Sequence, residues 1–180
     1  FSALTKAEAK AKLGLPASEP LVVSVWGSLG ARVMNERMAE LIALAGEQPG
    51  FRLIHSAGKN GYEKFVENLK ARGVTDPKRR GADVRPYIYD MPTVMAAADL
   101  VLCRAGASTL AELTYLGKPV VIVPSPNVTD NHQEKNARVL ERAGGARVFL
   151  EGEFDATSLL DEVRALLRNE ERLNGMADAM

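Results

Sequence analysis

Six short apolar runs alternate with segments of helical periodicity along this chain of 180 residues. The runs lie at residues 21–26, 51–56, 83–89, 100–103, 119–123 and 146–150. They are mostly continuous instead of alternating with polar residues, which is typical of strands buried on both faces. Strands separated by helices favour a parallel sheet, because parallel neighbours need a crossover connection. The sequence therefore predicts an α/β fold, a doubly wound, Rossmann-like parallel sheet of about six strands.

The segments between the runs carry helix signals. Thr5 and Glu8 have the spacing of a capping box, which predicts a short helix over residues 7–13. Asp155 is placed to cap a late helix, and Pro86 puts the third strand at an edge or a bend of the sheet. Apolar spacing predicts the remaining helices, over residues 32–45, 59–72, 91–98, 110–116 and 131–143. The last segment, residues 169–180, is polar and loosely patterned.

Charge and cysteine content exclude several classes of protein. Lys and Arg number 23, as do Asp and Glu, so a formal net charge of zero argues against a broad nucleic-acid surface. The single Cys103 cannot form an internal disulfide, which favours a reducing, cytoplasmic compartment. No apolar stretch is long enough to span a bilayer. His55 and His132 are far apart and lack a second ligand at metal spacing, so neither a metal site nor a cofactor is expected.

The most informative stretch follows the fourth predicted strand. Residues 105–109 form a turn of small residues that leads into a helix, and the first amides of a helix bind anions well. Gly106 lets the backbone approach a ligand, while Ser108 and Thr109 can cap the helix or donate hydroxyl bonds. Glu112 lies one turn further on, where a carboxylate can accept hydrogen bonds from both hydroxyls of a ribose. An ordinary capped strand–turn–helix explains the same residues at least as well.

Two further polar turns follow predicted strands. Residues 27–31 form a glycine turn in which Ser28 and the amides near Gly30 suit a phosphate, although the spacing is neither a dinucleotide fingerprint nor a P-loop. The cluster at residues 130–136 is rich in side chains that suit sugar hydroxyls, or simply a solvated helix start. Parallel strands end at one edge of the sheet, so these turns are expected to meet there.

These motifs, taken together and in this order, resemble the C-terminal domain of the MurG family. Members of that family are inverting N-acetylglucosaminyltransferases of peptidoglycan synthesis with a GT-B fold, in which two Rossmann-like halves face each other. The similarity runs from about Leu21 to about Leu167. It implies a leading segment with a short helix over residues 1–19, a UDP-sugar-binding domain over residues 20–168, and a tail over residues 169–180 towards the family's N-terminal domain, which the sequence lacks.

The resemblance also implies roles for particular residues. Glu112 matches the ribose-binding glutamate, and Ile88 the residue whose backbone reads uracil. The diphosphate is expected at the turn, and His132 and Gln133 are expected to choose the sugar, with Asn136 one turn further on. The full set of implied donor-binding residues is Ser28, Gly30, Tyr87, Ile88, Met91, Arg104, Gly106, Ala107, Ser108, Thr109, Glu112, His132, Gln133 and Asn136. Arg104 is expected either to assist the diphosphate or to tie the loop.

Some features depart from the family, and some belong to its other half. Trp26 replaces a usual glycine, Leu29 a usual glutamine, and His132 a glutamine of some members. The acceptor lipid I and the candidate general base belong to the N-terminal domain, so no catalytic residue is expected here. The chain is expected to bind UDP-N-acetylglucosamine without turning it over, and the whole enzyme to sit peripherally on the cytoplasmic face of the bacterial membrane.

Two alternatives stay open. The fold and the ribose glutamate are shared by other UDP-sugar enzymes, such as a diacylglycerol glucosyltransferase or an epimerase. A free-standing, non-catalytic nucleotide-binding subunit of a split transferase fits the same residues.

Overall fold

Six parallel strands form a single sheet in the order β3-β2-β1-β4-β5-β6, in a computed structural model that describes residues 4–27 and 31–180. The strands are Leu21–Val25 (β1), Arg52–Ser56 (β2), Ala82–Arg85 (β3), Leu100–Cys103 (β4), Val120–Ile122 (β5) and Ala146–Val148 (β6). The helices described are Lys6–Lys12 (α1), Arg32–Ala45 (α2), Tyr62–Ala71 (α3), Met91–Ala97 (α4), Ala107–Tyr115 (α5), His132–Ala143 (α6), Ala156–Arg168 (α7) and Glu170–Asp178 (α8). The predicted α/β architecture is confirmed.

The order of the strands places a crevice at one edge of the sheet. The chain runs outward from β1 to β3, returns to β4 beside β1, and then runs outward to β6. The strand order therefore reverses between β1 and β4, and ligands of such sheets bind outside the carboxyl ends of the strands at that point. The turn after β4 meets Gly27 and Ala31 of the segment after β1 there.

Apolar side chains cover both faces of the sheet, which explains why the strands are continuous apolar runs. On one face α2, α3 and α7 pack against β1, with Met38, Phe65 and Val163 almost completely buried. On the other face α1, α4, α5 and α6 pack, with Val94 and Leu113 equally buried. Strands enclosed in this way cannot carry an alternating polar face.

Two elements differ from the sequence prediction at the candidate site. The third strand ends at Arg85, just before Pro86, so the next residues leave the sheet and run towards the crevice. This strand is at the sheet edge, as Pro86 predicted. The helix after β4 begins at Ala107 instead of Leu110, because Gly106 already has extended N-cap geometry. Ser108 therefore lies within the first helical turn and does not cap it.

The C-terminal tail also differs, since it forms α8. The side chain of Asn169 accepts a hydrogen bond from the amide of Arg172 and caps the helix start. Met176 is buried against the same core as α7. The partly buried Leu173 packs against this core too, but two inward residues in a mostly polar segment give too weak a periodicity to predict a helix.

Helix α1 is fastened to the amino end of β4 by a buried lysine. Lys10, 2% exposed, lies with its Nζ 2.7 Å from the Asp99 carboxylate and donates to the carbonyls of Ala17 and Glu19. The amide of Leu21 donates to the same carboxylate. Lys6, also on α1, places its Nζ 2.8 Å from the other carboxylate oxygen. Burial alone would raise the pKa of Asp99, but hydrogen bonds from Lys10, Lys6 and this amide outweigh it and hold the pKa below its ordinary value.

Among the described residues, none of the helices is both long and apolar enough to cross a membrane.

Candidate functional site

A cavity of about 590 Å³ opens at the carboxyl ends of the strands, at the reversal of the strand order. Residues after five different strands contribute to its walls. The charged and polar groups among them are Arg32, Ser56, Tyr87, Arg104, Thr109, Glu112, Ser125, Asn127, Gln133 and Glu151. Apolar side chains, including Trp26, Met91 and Met95, form the rest of the wall. This mixture of an apolar body and a few convergent polar groups is typical of a small-molecule site.

The start of α5 gives the cavity an anion-binding wall. Gly106 is the N-cap and lines the cavity, and Thr109 lines it from the first helical turn. The amides of this turn have no partner within the helix, and the helix dipole is positive at this end. A Cβ added to Gly106 would meet only the Thr109 hydroxyl, at 4.0 Å, so the backbone is open to a ligand here.

The structure brings eight of the candidate residues to this cavity. They are Tyr87, Ile88, Met91, Arg104, Gly106, Thr109, Glu112 and Gln133. Glu112 is exposed and stands one turn along α5 from Ser108, as the spacing predicts. The Ile88 side chain is 1% exposed, so this residue presents its backbone to the cavity instead of its side chain.

Four other candidates lie outside the lining formed by the described part of the chain. Ala107 and Ser108 are exposed on the first turn of α5. His132 is exposed, and its ring nitrogen Nδ1 lies 2.9 Å from the carbonyl of Thr129, so Nδ1 is the protonated nitrogen. Asn136 is half-buried one turn further along α6. The remaining two, Ser28 and Gly30, lie outside the described residues.

Gln133 joins two of the loops that build the cavity. Its carboxamide oxygen accepts a hydrogen bond from the amide of Ser125, at 2.9 Å, and another from the amide of Ala105, at 3.2 Å. Both donors are backbone N–H groups, so the atom facing them must be the oxygen. The amide of Ala105 is therefore already satisfied, and only the NH₂ group of Gln133 remains to meet a ligand.

Arg104 is fixed beside the same turn. Its Nη1 donates to the carbonyls of Val123 and Pro124, each at 3.2 Å, and lies 2.6 Å from the Glu151 carboxylate. The two side chains are only 14% and 16% exposed. In this structure Arg104 thus ties the β4–α5 turn to the end of β5, the second of its two expected roles.

The opposite wall is aromatic. Tyr87 contacts Tyr89 edge-on, with ring centroids 4.9 Å apart, and the ammonium of Lys59 lies 5.0 Å from the Tyr87 centroid. Met91, at the start of α4, continues this wall. An aromatic ring and a methionine side chain both offer a flat heterocycle an apolar, polarizable surface.

A buried hydrogen-bond chain supports the wall that Trp26 forms. The indole N–H donates to the Ser24 hydroxyl at 2.7 Å, and that hydroxyl donates to Nδ1 of His55 at 3.0 Å. Nε2 of His55 then donates to the Asn35 side-chain oxygen at 3.1 Å, and the Asn35 amide donates to the Ala57 carbonyl at 2.8 Å. Every member is satisfied with His55 neutral, and burial lowers the pKa of His55 to about 3.

Sequence reasoning missed several of the lining residues, among them Trp26, Ser125, Asn127 and Glu151. A signal for Glu151 existed, because it follows the sixth predicted strand and so belongs to the same edge of the sheet. Ser125 and Asn127 lie just before the polar cluster at residues 130–136, but nothing in the sequence ranked them above their neighbours. Trp26 sits at the end of an apolar run and looked like core, which it also is, at 3% exposed.

Within residues 4–27 and 31–180, no cluster of three histidine, cysteine or acidic side chains is arranged to hold a metal ion. Cys103 is completely buried in the core, and burial raises the pKa of its thiol to about 12. It is a small core residue with a protonated thiol, and not a nucleophile.

Comparison with known proteins agrees with this geometry. Residues 21–180 match the glycosyltransferase family 28 C-terminal domain. A curated relative from Acetivibrio thermocellus, 43% identical over 174 residues, is a UDP-N-acetylglucosamine–N-acetylmuramyl-(pentapeptide) pyrophosphoryl-undecaprenol N-acetylglucosamine transferase. That alignment covers 97% of this chain but 46% of the relative, so the chain spans about half the length of the relative it matches.

Solved structures give the same picture. MurG of Acinetobacter baumannii superposes with a TM-score of 0.76 at 30% identity, over 99% of this chain and 48% of that one. WaaG, a glycosyltransferase involved in lipopolysaccharide biosynthesis, superposes with a TM-score of 0.71 at 22% identity, over 99% of this chain and 48% of that one. The second likeness shows the fold alone.

Proposed function

The chain belongs to the family of glycosyltransferase family 28 C-terminal domains, and on this premise we propose that its cavity binds UDP-N-acetylglucosamine as a glycosyl donor. The whole enzyme then transfers N-acetylglucosamine to lipid I and forms lipid II, the reaction class named for the relative from A. thermocellus. The observation that carries the proposal is the start of α5, where free amides and the Glu112 carboxylate share one wall of the cavity.

The diphosphate end of the site is supported by the helix start. Gly106 and Thr109 face the cavity, and the amides of the first turn can donate to phosphate oxygens. The carboxylate of Glu112 lies about one turn further on, which suits a ribose joined to the phosphate. A carboxylate accepts two hydroxyl bonds at once, and such charge-assisted bonds are stronger than neutral ones.

The uracil end is supported by the aromatic wall. Tyr87 and Met91 offer apolar surfaces to a flat base, and the backbone beside the buried Ile88 side chain can pair with the edge of the base. The sugar is then directed towards α6, where the NH₂ group of Gln133 has no hydrogen-bond acceptor among the described residues and can donate to a ligand. His132 and Asn136 stand on the same helix, outside the cavity lining, and reach only a sugar that projects beyond it.

Acceptor binding and proton removal are assigned to the other half of the enzyme. Residues 1–19 act as a leading segment, residues 20–168 as the donor domain, and residues 169–180 run towards the acceptor domain. Lipid I is membrane-bound, so the whole enzyme works at the cytoplasmic face of the bacterial membrane. The donor domain alone is expected to bind without turnover.

Calorimetric titration of the chain with UDP-N-acetylglucosamine, UDP-glucose and UDP tests the proposal. We expect measurable binding of all three, with UDP-N-acetylglucosamine the tightest, and amide shifts confined to α5, the β3–α4 segment and the start of α6. Thr109→Ala should weaken all three ligands about equally because they share the diphosphate, whereas Thr114→Ala, exposed further along α5, should change none. Tighter binding of UDP-glucose would favour another UDP-sugar enzyme, and no binding of UDP would contradict the proposal.

A further inference from the structure

The charges around the cavity are unexpectedly balanced for a site that receives a diphosphate. Among the described lining residues, Arg32 and Arg104 are cationic and Glu112 and Glu151 are anionic. A diphosphate is a multiply charged anion, and sites for such groups usually carry an excess of cations or amide donors. Glu112 has a proposed partner in the ribose, but nothing in the donor accounts for Glu151.

Of the two cations, Arg104 is the one built into the site. The Arg32 side chain is 91% exposed and lies 3.2 Å from Glu36 on its own helix. Arg104 is 14% exposed and directly precedes the diphosphate turn. Its charge is therefore poorly screened by solvent and is the one most able to act on a bound anion.

Glu151 is the counter-charge of Arg104, the built-in cation of the site. Nη1 donates to two carbonyl oxygens of the β5 end and forms an ion pair with the Glu151 carboxylate at 2.6 Å. Among the described residues, the buried Oε2 of Glu151 has no aligned hydrogen-bond donor, so its contact with Arg104 is one of charge. The carboxylate also lines the cavity, so it both neutralises the arginine and places a negative charge near the anion.

We propose that Glu151 is an affinity-limiting residue of the donor site: it holds and neutralises Arg104, and so weakens binding of the nucleoside diphosphate. This inference rests on the proposed function. Its chemical consequence is faster release of the diphosphate left after sugar transfer. The product binds more weakly than it would to the same helix amides beside an arginine without a counter-charge.

The test replaces the carboxylate by its neutral isostere. Glu151→Gln keeps the shape of the side chain but removes its charge, so UDP should bind the 180-residue chain at least about threefold more tightly, as expected for one poorly screened charge pair. The gain should be smaller for UMP and absent for uridine, which carries no phosphate. It should also shrink at high salt. Glu153→Gln is the matched control, because it makes the same charge change two residues away on an exposed side chain.

A second background separates the role of Arg104 from a general charge effect. In Arg104→Gln, the further change Glu151→Gln should alter UDP affinity by much less than in the wild type. Circular dichroism confirms that each variant is folded. An equal change for uridine and UDP, no gain for UDP, or the same gain from Glu153→Gln would each overturn the inference. Absence of UDP binding to the wild type would overturn the proposed function as well, whereas wild-type binding without a gain overturns this inference alone.

Discussion

The carboxamide oxygen of Gln133 lies 2.9 Å from the backbone nitrogen of Ser125 and accepts its hydrogen bond. The same oxygen serves Ala105, so one side chain of α6 holds the turns after β4 and β5 together. Gln133 was expected to choose the sugar. In the structure its oxygen also bridges the two turns before any ligand binds. Its removal therefore tests the architecture of the site more directly than it tests sugar selection.

Replacing Gln133 by alanine should lower the free energy of unfolding by about 2 kcal/mol, because two partly buried amides lose their acceptor. Hydrogen exchange of the Ala105 and Ser125 amides should accelerate, and UDP should bind more weakly along with UDP-N-acetylglucosamine. Lys135→Ala, on an exposed position of the same helix, is the control and should change stability little. If exchange of both amides stays at the wild-type rate, the bridge is not a feature of the protein in solution.

Replacing Glu112 by glutamine should reduce UDP affinity about tenfold, because a charge-assisted bond to the ribose is lost while the shape is kept. The matched ligand is 2′,3′-dideoxy-UDP, which lacks both hydroxyls. It should bind the wild type and Glu112→Gln with similar affinity. Equal losses for UDP and the dideoxy ligand in calorimetry would show that Glu112 does not contact the ribose.

Replacing Gly61 by alanine should destabilise the protein by about 1–3 kcal/mol. A Cβ at this position would lie 2.7 Å from the Ala57 carbonyl and 2.8 Å from the Asn35 side-chain nitrogen, so the bond between those two groups must open. Gly152→Ala is the control, since a Cβ there meets nothing within 4 Å. Chemical denaturation of both variants decides the matter, and similar midpoints would contradict the steric argument.

Stability should depend on pH through His55. Burial lowers the pKa of this imidazole from 6.5 to about 3 in the folded protein. Between these two pH values His55 is protonated in the unfolded chain and neutral in the folded protein. Neutral His55 makes its full contribution to the free energy of unfolding above about pH 6.5. That free energy then decreases as pH falls, by up to about 1.4 kcal/mol per pH unit. Between about pH 7 and about pH 5 the wild type should lose about 2 kcal/mol more than His55→Gln. If the free energy of unfolding depends on pH in the same way in both proteins, His55 is not the group whose protonation destabilises the fold.

The parts of the fold that depend on burial were predictable. Continuous apolar runs such as the one that forms β4 cannot be solvated on either face, so both the strands and the parallel sheet follow from them. Helices with strong apolar spacing were predicted for the same reason. Helix α8 was missed because few residues specify it: Asn169 caps its start, and Leu173 and Met176 make its core contacts.

The candidate site was predictable only as far as the strand-end rule reaches. That rule brings Thr109 and Gln133 to one edge of the sheet from distant parts of the sequence. The rule does not predict the hydrogen-bond or ion-pair partner of each side chain at that edge. The pairing of Arg104 with Glu151, and the two bonds of Gln133, depend on how closely separate loops approach one another, which residue types and spacing do not encode.

The buried Lys10 has a consequence for where this domain can be cut. The family match begins at Leu21, yet Lys10 lies before it and its ammonium is a principal partner of the Asp99 carboxylate. A polypeptide that begins at Leu21 would keep β1 but lose Lys10. The half-buried carboxylate of Asp99, just before β4, would then lack that counter-charge. An excised donor domain that retains α1 should therefore express and refold more readily than one trimmed to the match.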